Sequence, residues 1–142
     1  MDASLYRKIV GSLLYLTATR PAIMYTASLL SRFMHNLTKI HLGTAKRVHR
    51  YVQGTIDFEI KYEKGKSTIL VGFYDSEWGG SEDDKKSTSG YAFTFGSGVL
   101  SWALVKRQCV ALSTAKAKYV SSAEATSQAI WLRFFLKDFE EL

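Results

Sequence analysis

The run Thr68-Ile69-Leu70-Val71-Gly72-Phe73-Tyr74-Asp75-Ser76-Glu77-Trp78 decides how this chain is read. Its β-branched and aromatic residues between a glycine-bearing turn and a charged segment predict a strand over 68–77. On a strand, side chains two residues apart share a face, so Asp75 and Glu77 project together. Two carboxylates on one face are oxygen donors of the kind that hard divalent cations take. That pair makes Asp75 and Glu77 candidate site residues.

Working outward, turn residues mark out the rest of a sheet. Phe58 to Glu63 alternates as a strand, and Lys64-Gly65-Lys66-Ser67 supplies a turn. Gly79-Gly80-Ser81-Glu82-Asp83-Asp84-Lys85-Lys86-Ser87 reads as a charged loop. Tyr91 to Phe95 and Val99 to Val105, joined by Gly96-Ser97-Gly98, form a hairpin. Ser113 then caps a helix running toward Leu142, with Ala123, Ile130, Phe134 and Phe135 expected inward.

Upstream the period changes. From Ser4 to Val52 apolar residues recur at three and four: Leu5, Ile9, Leu13, Leu16, then Ile23, Ala27, Leu30, Phe33, then Leu42, Ala45, Val48, Val52. This predicts three helices. Pro21 suits a first helical turn, Asn36 and Thr38 supply cap chemistry, and Gly54 ends the third helix. The fold class is therefore α+β, with a helical segment over 1–55 and a sheet-and-helix segment over 56–142.

Composition narrows the function classes. The 142 residues are 46% apolar and 13% aromatic, enough for a packed core. Net charge is +6, compatible with a nucleic-acid or other anionic partner without specifying one. A single cysteine, Cys109, excludes an internal disulfide, and with three histidines there is no zinc-ligand spacing; no cofactor is expected. Cys109 reads as a small buried filler in an apolar run. No run approaches the roughly 20 apolar residues that span a bilayer. Arg7 and Lys8 ahead of Ile9 to Ala18 admit two readings, a secretory signal over 1–18 or an amphipathic helix of the folded domain.

Several motifs together resemble the Ty1/copia-type retrotransposon polyproteins, over nearly the whole chain. Tyr6 to Leu16 followed by Thr19-Arg20-Pro21 looks like the family's connection helix, and His41 to Tyr51 resembles its Ala-Lys-Arg-Val-x-Arg-Tyr run. Asp75-Ser76-Glu77-Trp78 is similar to its Asp-x-Asp-Trp strand end. Lys86-Ser87-Thr88-Ser89-Gly90-Tyr91 and Ser101-Trp102 resemble the sheet that follows. Ser113-Thr114-Ala115-Lys116-Ala117-Lys118-Tyr119 is similar to the Ser-Thr-Ala-Glu-Ala-Glu-Tyr helix start. The resemblance implies a ribonuclease H-like segment, truncated before the family's downstream Asp-Asn pattern.

It also implies a silent metal site. Glu77 stands for an aspartate and keeps a carboxylate, whereas Lys116 and Lys118 stand where the family has glutamates. An ammonium has no lone pair for a metal and repels it. At an effective dielectric of about 20, a unit charge about 5 Å from a dication costs on the order of 6 kcal/mol before screening. Leu104 and Arg107 alter the hairpin nearby. The expectation is a noncatalytic protein with no bound metal.

A second resemblance concerns Arg47-Val48-His49-Arg50, followed at a distance by Ser81-Glu82-Asp83-Asp84. This looks like a degenerate Arg-x-Leu-Arg motif, the host-entry signature of secreted RxLR-type effectors of oomycete plant pathogens. It implies secretion, a host-cell location, an unidentified host protein partner and an effect on host defence or cell death. The alternative is an intracellular remnant that holds RNA–DNA hybrid weakly through Lys39, Lys46, Arg47 and Arg50. No membrane partner is expected.

Overall fold

The computed structural model describes residues 3–65, 68–77, 87–107 and 113–139. The chain divides into two compact units, Met1–Glu59 and Ile60–Leu142.

The first unit is helical. Helix α1 (Ala3–Leu16) leads through a short turn of 3-10 helix (Pro21–Ile23) into α2 (Met24–Ser31), and α3 (Lys39–Gly54) follows. Their shared core is Tyr6, Val10, Leu13, Ile23, Ala27, Leu30 and Ala45, all buried, with Ile9, Leu42, Val48 and Val52 packed around it. The inward stripe of α1 thus begins at Tyr6, not Leu5, which is 39% exposed. The tyrosine wins the position because its ring fills core volume while its hydroxyl donates to the Leu30 carbonyl at 2.7 Å, so its polar end is satisfied.

Local chemistry fixes the ends of α3. Thr38 accepts from the His41 N–H and the His41 ring nitrogen accepts from the Thr38 N–H, both at 3.3 Å, a reciprocal capping box. At the other end the Arg20 guanidinium donates to the carbonyls of Thr55 (2.7 Å) and Ile56 (3.2 Å). A cation there also offsets the negative end of the helix dipole.

The second unit carries a sheet of described strands in the order β1 (Leu70–Glu77), β2 (Thr88–Phe95), β3 (Gly98–Lys106), all antiparallel, and α4 (Thr114–Asp138) packs on it. Ser113 caps α4 through its hydroxyl, which accepts from the Lys116 N–H at 3.2 Å. The β2–β3 hairpin closes through Gly96 and Ser97, with Gly96 at φ +61°, a conformation that favours glycine.

Two expectations need correction. Residues 58–63 are not a strand. The alternation is present, but the segment is held by side chains: the Ser97 hydroxyl accepts from the Glu63 N–H at 2.8 Å, and the Tyr62 hydroxyl donates to the Val99 carbonyl. Gly98 accommodates the Tyr62 ring, since a Cβ there would stand 2.6 Å from it.

The second correction concerns the phase of α4. Its buried residues are Ala117, Ser121, Ala125, Leu132 and Leu136, while Ala123, Ile130, Phe134 and Phe135 are exposed. Small residues in the first turns admit a close approach to the sheet, and the Ser121 hydroxyl donates to the Asp75 carbonyl at 2.8 Å. Phe93 from β2 then fills the space against Ala125 and Leu132. Room for that ring comes from Gly72 opposite it, where a Cβ would meet Phe93 at 2.4 Å.

Candidate functional site

Strand β1 is in unbroken register with β2, so its side chains alternate strictly. Gly72 shares a face with Phe93, which packs on α4. Asp75 and Glu77 have the opposite parity and lie together on the other face, both exposed. The Asp75 carboxylate accepts from the Ser76 N–H at 2.7 Å. The two-residue spacing therefore does bring the carboxylates to one face, but α4 lies over the other.

Lys116 and Lys118 sit in the first turns of α4, flanking the buried Ala117, and both are exposed. Among the described residues no ion pair joins either lysine to Asp75 or Glu77. Nor do any three His, Cys, Asp or Glu side chains among them gather as a metal-binding group. Trp78, Cys109 and the acidic run 81–84 lie outside the described residues.

On the helix-facing side, a polar cluster that the sequence reading missed occupies the end of the sheet. Ser87, Ser89 and Ser121 are buried there. The Arg107 N–H donates to the Ser87 carbonyl at 2.9 Å, its Nε to the Ser89 hydroxyl at 3.0 Å, and its Nη1 pairs with the Glu124 carboxylate. The signal available in sequence was the Arg107/Glu124 charge pair, which no periodicity argument connects. Alongside runs an open cleft of about 620 Å³ between α4 and the sheet, lined in part by Tyr91, Val105, Val120 and Trp131. Burial pushes the Tyr91 phenol above its ordinary range; the Glu124 carboxylate adds to the rise and a hydrogen bond with Ser101 opposes it.

The motif Arg47-Val48-His49-Arg50 is part of α3. Val48 packs on the helical core, whereas Arg47, His49 and Arg50 face solvent. Lys39, Lys46 and Arg50, at spacings of seven and four, follow one stripe of the helix with Arg47 beside it, opposite the buried Ala45. Residues 3–16 form a helix that supplies Tyr6, Val10 and Leu13 to the core. No helix among the described residues is long and apolar enough to cross a membrane.

The chain is 39% identical to the Retrovirus-related Pol polyprotein from transposon TNT 1-94 of Nicotiana tabacum, over 94% of its own length and 10% of the polyprotein. It is 41% identical to the corresponding polyprotein from transposon RE1 of Arabidopsis thaliana, over 92% of its length and 9% of that protein. The chain thus spans about a tenth of the length of these polyproteins. Against secreted RxLR effector protein 161 of Plasmopara viticola it is 36% identical over 89% of its length and 90% of the effector. No family model and no solved structure matches. On the extent and level of these identities, the chain belongs to the family formed by copia-type retrotransposon Pol proteins and this effector.

Proposed function

We propose that this chain is a noncatalytic, ribonuclease H-like protein that acts by binding. The observation that carries the proposal is the pair of exposed ammonium groups, Lys116 and Lys118, in the opening turns of α4. A two-metal phosphodiester cleavage needs converging oxygen donors, and lysines at those positions supply charge of the wrong sign. Asp75 and Glu77 are then vestigial. The purified chain, given Mg²⁺ and an RNA–DNA hybrid, is expected to leave the hybrid intact. Mg²⁺-dependent cleavage that disappears in Asp75→Asn would overturn the proposal.

Within that reading, the protein acts as a secreted RxLR-type effector that binds a host protein and modulates host defence or cell death. Support comes from the effector relative, which matches this chain nearly end to end, and from the exposed Arg47, His49 and Arg50. N-terminal sequencing of material recovered from culture fluid tests it. Cleavage near Ala18 is the expected result, and protein retained in the cell with Met1 intact would remove it.

A second reading is favoured by the stripe of Lys39, Lys46 and Arg50 with Arg47 on α3: an intracellular remnant that holds RNA–DNA hybrid through phosphate contacts. Binding through four cations falls steeply as salt rises from about 50 to about 200 mM. Lys46→Glu with Arg50→Glu should abolish it, and salt-insensitive binding would exclude it.

A further inference from the structure

The outer surface of α4 is uncovered. Over its last turns Trp131, Phe135 and Phe139 follow one another at intervals of four, with ring centroids 5.2 Å and 4.9 Å apart, and Ile130 and Phe134 run beside them. These five side chains are between 43% and 64% exposed, although the opposite side of the same turns is buried through Leu132 and Leu136. A helix with apolar residues around most of its circumference belongs in an interior. Arg133 and Lys137 are confined to the remaining narrow strip.

We propose that this face is the contact between two copies of the chain. The five side chains leave on the order of 500 Å² of apolar surface open per copy, at the upper end of what soluble monomers expose. Two such faces together bury about 1,000 Å², the lower bound for a specific interface before the cleft walls at Val105 and Val120 are counted. An isologous contact meets that bound without any other partner, because each copy brings the same ladder of rings. With the two helices antiparallel and crossing near Phe134 and Phe135, Asp138, the acid within the arc, lies about 10 Å along the axis from its symmetry mate, so the like charges are not juxtaposed.

Sedimentation equilibrium of the full chain from about 1 to about 200 µM tests the proposal. The expected result is reversible dimerisation. Phe134→Glu should weaken it at least tenfold with the helical circular dichroism unchanged, because the replaced side chain is 64% exposed. Should that variant misfold, Ile130→Lys asks the same question. A wild-type chain that stays monomeric over the whole range, or a charged variant that dimerises as tightly as the wild type, overturns the proposal. Flotation of a monomeric wild type with phosphatidylcholine–phosphatidylserine vesicles also overturns it, assigning the face to a lipid surface.

Discussion

The two units solve the same packing problem with different materials. In Met1–Glu59 the core is built of large side chains interlocked between helices, and its one buried phenol is hydrogen-bonded. Among the described residues of Ile60–Leu142 the buried set is thin in apolar volume, Phe93, Ala117, Ala125, Leu132 and Leu136, and rich in hydroxyls, Ser87, Thr88, Ser89 and Ser121. The first unit depends on many side chains of comparable weight. The second depends on ladder hydrogen bonds and on one ring held between Gly72 and α4. A unit with one large wedge should fail abruptly when that wedge is removed.

Tryptophan fluorescence separates the two, because Trp78, Trp102 and Trp131 all fall in the second unit. The largest effect is expected from Phe93→Ala, about 3–5 kcal/mol. Urea titration should show the fluorescence transition displaced to low denaturant while a helical dichroism component persists; coincident loss of both signals would break the comparison. Leu13→Ala, at a site 1% exposed, should cost about 2–4 kcal/mol and move the dichroism component with the fluorescence midpoint unchanged.

Smaller changes sharpen the contrast. Tyr6→Phe removes one donor to the Leu30 carbonyl, which keeps the Phe33 N–H at 3.1 Å, so the loss is that of a single buried hydrogen bond, about 1–1.5 kcal/mol. The same residue makes a pH prediction. Burial raises the Tyr6 phenol above its ordinary value of 10.0, so the folded state holds this proton after the unfolded state has released it. The associated stability is complete below pH 10.0 and is lost as pH rises beyond it. Thermal melts of wild type and Tyr6→Phe should therefore converge on the alkaline side. Ser121→Ala, which deletes the hydroxyl reaching the Asp75 carbonyl, closes the series at about 1 kcal/mol in the fluorescence transition.

Much of this architecture was legible beforehand, for identifiable reasons. Helix periodicity in the first fifty residues, the run into Asp75 and the glycine turn at Gly96 are local signals, and each became an element. Where the reading failed, a non-local partner decided. Residues 58–63 alternate like a strand, but the Ser97 hydroxyl and the Val99 carbonyl hold them outside the ladder. The phase of α4 was misjudged because Phe134 and Phe135 are the obvious core candidates by hydrophobicity, whereas Ala117, Ser121 and Ala125 win the sheet by being small. Tyr6 displaced Leu5 for a hydrogen bond twenty-four residues away.

At the candidate site, strand alternation correctly paired Asp75 with Glu77. It could not say which face α4 would cover, because that depends on Phe93 and Gly72 meeting across two strands. The Arg107, Ser89 and Glu124 cluster was invisible for the same reason: its members are close only once β3 and α4 have docked.

The place of α1 bears on how such a protein could travel. Tyr6, Val10 and Leu13 lie within the stretch that an export peptidase cutting after Ala18 would discard. Mature cargo trimmed there would reach its destination with α2 and α3 stripped of their keystone, and the sheet with α4 as the part whose interior is intact. Cleavage at Ala18 would therefore hand any binding role to the second unit, whose core contains none of the residues removed.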